Sequence, residues 1–133
     1  MIRIIGLDYG ERRIGVAVSD PLGMTAQAVG TISDISGLDA ILKNYPETTE
    51  IVVGLPRMMN GQLGIQAQKT LGFVAELKKK FDLKISTWDE RLTSVEAEKA
   101  LIFAGLSRAK RKKVIDQSAA AIILQSYLDN QRK

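Results

Sequence analysis

The runs Ile2 to Leu7 and Ile14 to Val18 are both apolar and β-branched, and only a short polar turn separates them. Such a pair reads as a hairpin of buried strands, so the chain opens by laying down the middle of a sheet. Asp8 stands where the first run closes. A carboxylate at the end of a buried strand is costly unless a cation or hydrogen-bond donors meet it. Gly6, Gly10 and Gly15 are the nearest positions without a Cβ, so a ligand or another backbone can approach there. On this stretch alone, a turn aspartate bonded to its own loop is the simpler account.

After Pro21-Leu22-Gly23, the segment Ala26 to Ile32 reads as a third strand. Ser33 to Tyr45 carries Ile35, Leu38, Ile41, Leu42 and Tyr45 at helical spacing and ends at Pro46. Glu50 to Leu55 reads as a buried strand stopped by Pro56, and Asn60-Gly61 marks a turn. Ala67, Leu71, Val74, Leu77 and Phe81 form the stripe of a second helix, with Lys78, Lys79 and Lys80 near its end. Leu83 to Trp88 is a fifth strand running into Asp89-Glu90-Arg91. Thr93-Ser94-Val95-Glu96 then reads as a capping box opening a helix to about Ala104, with Gly105 as its stop. Val114 to Leu128 is a strongly apolar last helix, whose alanines at 119, 120 and 121 let it lie close to a sheet.

Short turns between the first three strands predict antiparallel pairing, and helices between the later ones predict parallel crossovers. The expected fold class is therefore α/β, a mixed five-stranded sheet with helices on both faces. Its 133 residues suit one domain spanning 1–133, with no repeat or low-complexity linker to divide it.

Cysteine and histidine are both absent, which excludes disulfides, thiolate chemistry, ordinary zinc sites and the usual general base. Acid-base or metal chemistry must then rest on oxygen ligands, and these suit a hard cation, Mg²⁺ or Mn²⁺. No run of 18 apolar residues occurs, and Arg3 and Asp8 interrupt the N-terminal one, so the expectation is a cytoplasmic protein without a membrane partner.

Three acids stand at the edges of apolar elements: Asp8, Glu90 and Asp116. In an open α/β sheet ligands gather outside the carboxyl ends of the strands, so Asp8 and Glu90 can meet there, with Asp116 facing them from the last helix. Carboxylates so gathered repel one another unless cations neutralise them, and paired metal ions serve this purpose in phosphodiester cleavage. Singly each has a plainer role, since Asp89 and Glu90 can pair with Arg91 or cap a helix and Asp116 can favour a helix dipole. Arg12 and Arg13 can meet phosphates, or pair with Glu11 and Asp20. Arg108, Lys110, Arg111, Lys112 and Lys113 carry +5, so removing them from the net +4 leaves −1 for the remainder. The basicity is one local patch, a solvated loop or a phosphate-binding stretch.

Four blocks together resemble the YqgF/RuvX family: Gly6-Leu7-Asp8-Tyr9-Gly10 with Arg13-Ile14-Gly15-Val16-Ala17; Val53-Gly54-Leu55-Pro56 with Asn60-Gly61; Asp89-Glu90-Arg91-Leu92-Thr93-Ser94; and Ile115-Asp116-Gln117-Ser118-Ala119-Ala120 with Leu124-Gln125. They fall in order across nearly the whole chain. The resemblance implies an RNase H-like fold and a nuclease, either processing the 5′ end of pre-16S ribosomal RNA in ribosome biogenesis or resolving Holliday junctions in branched DNA. It also implies that Asp8, Glu90 and Asp116 are catalytic and hold metal, with Asp89 the alternative to Glu90 because adjacent strand residues face opposite ways. Nucleic acid, and ribosome-associated factors, are the partners implied. Arg57-Met58-Met59 departs from the more polar loop, with Asn after Leu, that the resemblance leads one to expect. Two other readings stand beside it. Asp8-Tyr9-Gly10 also resembles the phosphate loop of actin-like ATPases and sugar kinases, but those close two such domains over a nucleotide. A non-catalytic RNA-binding factor would have no reason to gather acids where phosphates come.

Overall fold

The computed structural model describes residues 3–93, 107 and 119–131. Five strands, β1 (Arg3–Tyr9), β2 (Ile14–Ser19), β3 (Ala26–Ile32), β4 (Thr48–Leu55) and β5 (Lys84–Asp89), form one sheet in the order β3-β2-β1-β4-β5. β1 pairs antiparallel with β2, as β2 does with β3, whereas β4 runs parallel to both β1 and β5. This is the expected mixed sheet. The crossovers are α1 (Leu38–Asn44) and α2 (Ile65–Lys80), and α3 (Ala119–Gln131) follows β5 among the described residues.

Alternation along the strands separates two cores. Ile5, Leu7, Val16, Ile51 and Val53 point to the face covered by Leu38 of α1 and by Phe73, Val74 and Leu77 of α2. Ile4, Ala17 and Val52 point to the other face, where Ala120, Leu124, Tyr127 and Leu128 of α3 close over them. Gly6 explains how near α3 can come, because a Cβ there would stand 2.7 Å from the Leu124 Cβ. Of the three alanines expected to let the last helix lie close, Ala120 is buried and Ala121 packs partly against the same core.

Several boundaries differ from the sequence expectation. β1 continues past Leu7 to Tyr9, so Asp8 sits inside the strand, paired with Gly15 of β2, rather than at its close. The segment expected as one helix over 33–45 divides into a 3₁₀ turn (Ile35–Gly37) and α1, because Asp34 accepts from the Ser36 N–H at 3.0 Å and starts the turn late. Residues 90–93 are already helical, and the Thr93 hydroxyl donates to the Glu90 carbonyl at 2.7 Å. Thr93 is therefore within the helical turn and not its N-cap; Asp89, accepting from the Arg91 N–H at 3.0 Å, precedes it. The rest of that expected helix, and residues 114–118 of the last one, lie outside the described residues. Among the described residues no helix is long and apolar enough to cross a membrane.

Candidate active site

Because β1, β4 and β5 run in one direction, Asp8, Leu55 and Asp89 all leave the sheet at the same edge. Asp8 shares the α3 face with Ile4 and Gly6 through the two-residue period of the strand. Glu90 comes to that same face from the helical turn after β5, and the two carboxyl groups share a hydrogen bond. Both side chains are half-buried. Burial pushes the Asp8 carboxyl up from its ordinary range, partly offset by the hydrogen bond with Glu90. Burial first, then the Asp8 charge, pushes Glu90 up to about 7. At neutral pH the pair is thus close to sharing one proton, with Glu90 donating and Asp8 accepting.

The pair depends on a residue whose part the sequence alone does not reveal. Gly54 on β4 lies between β1 and β5, and a Cβ there would stand 3.0 Å from both Cγ and Oε1 of Glu90 and 2.5 Å from Cδ1 of Ile123. Only glycine leaves the Glu90 side chain a path across β4 to Asp8. A single Gly inside an apolar strand is the signal for such a close approach.

Asp89 takes the other role. It binds Arg91 in bidentate fashion, with Nη2 to Oδ2 at 2.7 Å and Nε to Oδ1 at 3.1 Å, and Arg57 Nε lies 3.9 Å from Oδ2. Arg91 holds the Asp89 carboxyl below its ordinary range. Of the two candidate acids of the Asp-Glu-Arg block, the one beside Asp8 is therefore Glu90.

On the β2 side Asp8 lines a cleft of about 390 Å³, together with Arg13, Gly15, Gly30, Thr31 and Ala120. Glu11 pairs with Lys69, and Asp20 accepts from the backbone N–H groups of Leu22, Met24 and Thr25. Neither acid is engaged with Arg12 or Arg13, both of which are exposed, and Arg13 lines the cleft.

Asp116 and the patch Arg108, Lys110, Arg111, Lys112 and Lys113 lie outside the described residues. Among the described residues no three acids gather into a metal-binding group. The two that do meet form a hard-oxygen donor pair whose burial and mutual repulsion a divalent cation would relieve, so the residues present fit such an ion.

A family profile described as the Holliday junction resolvase RuvX matches residues 2–130. A Desulforamulus reducens protein named "Putative pre-16S rRNA nuclease" is 52% identical over 138 residues, covering 99% of this chain and 100% of that protein. A Clostridium tetani protein of the same name is 53% identical, with 97% of each chain covered. Among solved structures, Thermus thermophilus RuvC in complex with a Holliday junction superposes with a TM-score of 0.64 at 13% identity, over 99% of this chain and 96% of that one. The fowlpox virus Holliday junction resolvase gives a TM-score of 0.51 at 12% identity, over 96% and 99%. At such identities the two structures speak for the fold alone.

Proposed function

The chain belongs to the RuvX family, and on that premise we propose that it is a divalent-metal-dependent nuclease that hydrolyses phosphodiester bonds in 5′-end processing of pre-16S rRNA. The observation that carries the reading is the Asp8–Glu90 pair. Two carboxyl groups pressed together at the carboxyl end of a sheet do nothing for the metal-free fold, since burial raises the cost of ionising both and the Asp8 charge raises it further for Glu90. Placed there, they serve a cation.

Asp8 and Glu90 hold Mg²⁺ or Mn²⁺ in this reading, with Asp116 completing the set. Its support is that Ala119 and Ala120, the next described residues along the chain, begin α3 beside the Asp8 cleft. When bound, the ion supplies Lewis acidity and lowers the pKa of water, which a chain without histidine otherwise lacks at neutral pH. Arg13 at the cleft, with Arg12 next to it in sequence, binds substrate phosphates, and the patch Arg108 to Lys113 adds sequence-independent attraction. Gly15 and Gly30 keep the cleft open for the backbone of the strand. The nucleic acid is a ribosomal RNA precursor, and ribosome-associated factors in the cytoplasm are its setting.

The family description favours a second reading, resolution of branched DNA, which requires two sites on a symmetric dimer to cut two strands. Assays on a pre-16S leader RNA and on a four-way DNA junction, each with Mg²⁺ and with Mn²⁺, separate the two. Preferential cleavage of the RNA supports the first reading, and paired symmetric cuts in the junction support the second. Cleavage of neither substrate would favour the non-catalytic RNA-binding reading.

A further inference from the structure

We propose that the turn over residues 57–64, with Met59 at its tip, is a subsite for an unpaired nucleotide next to the scissile phosphate. This rests on the nuclease reading of Asp8 and Glu90 and adds to it a determinant of substrate form. The turn leaves β4 directly after Leu55 and Pro56, at the edge where Asp8 and Glu90 meet.

The turn is built rather than loose. The Met58 N–H donates to the Gln62 carbonyl at 2.9 Å and the Gly61 N–H to the Met58 carbonyl at 2.8 Å. The Gln62 N–H donates to Asn60 Oδ1 at 3.0 Å, and Arg57 Nη1 to the Gly61 carbonyl at 3.2 Å. Gly61 has φ +87°, which an L side chain would resist. On this frame Met59 is 96% exposed and Met58 53%, with Ile65 also exposed at the start of α2. Scattered exposed apolar residues are ordinary, but a hydrogen-bonded turn that holds methionines outward presents a surface.

What it presents to follows from its neighbours. Arg57 and Arg91 share the single carboxylate of Asp89, so positive charge exceeds negative at the base of the turn. The position of a Gly61 Cβ lies 3.5 Å from Arg91 Nη1, which places that guanidinium against the turn itself. An apolar tip above two arginines matches a nucleotide, which offers a flat ring face and a phosphate. A protein segment would have to bring acids and apolar side chains from separate residues, whereas one nucleotide carries both in a single unit. Thioethers are soft and adapt to any ring face, so recognition here is tolerant of base identity. A base stacked inside a duplex offers no such face.

The test uses Asp8→Asn protein and two fluorescein-labelled RNAs, a blunt duplex and the same duplex with an unpaired flanking segment, read by anisotropy. Adding Met59→Ser is expected to weaken binding of the flanked RNA by about five- to tenfold, the low end of stacking contributions because methionine is not aromatic. Binding of the blunt duplex stays within about twofold, since its bases remain stacked, and Met59→Leu restores the flanked affinity. Equal loss on both RNAs, or loss on neither, overturns the subsite; the second result would point instead to a protein at the tip. Cleavage by the unmutated protein in Mg²⁺ is scored separately. Cleavage without the binding difference fells the subsite alone, while the binding difference without cleavage fells the nuclease reading and leaves a nucleotide-binding turn.

Discussion

The backbone of Gly54 lies so close to the carboxyl group of Glu90 that a methyl group on it would stand 3.0 Å from Oε1. Gly54→Ala is therefore expected to push Glu90 away from Asp8 and to crowd Ile123, whose Cδ1 would be 2.5 Å from the new carbon. Overpacking of this kind costs about 1–3 kcal/mol, measurable by urea denaturation. On the proposed role of Glu90 as a metal ligand, misplacing its carboxylate should lower metal-dependent cleavage by about 10- to 100-fold. Loss of stability with full activity would show that Glu90 does not need this path.

Gly72 supplies the contrast. It lies in the middle of α2, and a Cβ there would meet nothing within 4 Å. Gly72→Ala should stabilise the protein by roughly 0.5–1 kcal/mol by reducing the freedom of the unfolded chain, with cleavage unchanged. A melting experiment beside the Gly54 variant checks both.

The carboxyl pair sets a pH dependence whose sign is fixed. Below about pH 4.5, the ordinary value for Glu90, folded and unfolded chains both hold its proton. As pH rises, the unfolded chain releases that proton first, while folded Glu90 retains it until about 7. The folded state then binds more protons, so stability falls across this window and the contribution is lost above it. Urea midpoints in chelator should drop between pH 5 and pH 8, and the drop should shrink in Asp8→Asn. Added Mg²⁺ should stabilise more at pH 8 than at pH 5, because the proposed site binds the ion with both carboxylates ionised.

The sheet was legible in the sequence because each strand is a short β-branched run closed by Gly, Pro or a polar turn, and the link lengths set parallel against antiparallel. Asp8 and Glu90 were legible because an acid at the edge of an apolar run is costly without a purpose. What composition could not show was the contact between them, which needs β1, β4 and β5 in register and a bare position at Gly54. The choice of Glu90 over Asp89 also waited for the fold: the backbone turns helical at 90, so strand alternation no longer governs, and Asp89 is engaged by Arg91. The Arg57-Met58-Met59 segment was visible as a departure from the loop that the family resemblance leads one to expect, while its hydrogen-bonded frame was not.

The cations divide by a salt titration. Removing one cation that meets a phosphate should flatten the log-log dependence of affinity on salt by about 0.7 for a single strand or about 0.9 for a duplex. Arg13→Gln, at the cleft, should remove about one such increment, again about 0.7 to 0.9. Neutralising Arg108, Lys110, Arg111, Lys112 and Lys113 together should remove up to about five, raising KM with turnover nearly unchanged. An unaltered slope after all five are neutralised would mean that nucleic acid docks elsewhere.

Cleavage of an end-labelled RNA carrying the precursor sequence upstream of 16S, by unmutated protein and by Asp8→Asn, tests the metal-nuclease assignment most directly. The unmutated protein is expected to shorten the RNA in Mg²⁺ or Mn²⁺ and to stop in chelator. Asp8→Asn, which removes one of the two carboxylates proposed to hold the metal and its repulsion with Glu90, should be folded with a higher urea midpoint at pH 8 yet at least about 100-fold slower. Cleavage at the unmutated rate by folded Asp8→Asn, or cleavage undiminished in chelator, would contradict the assignment.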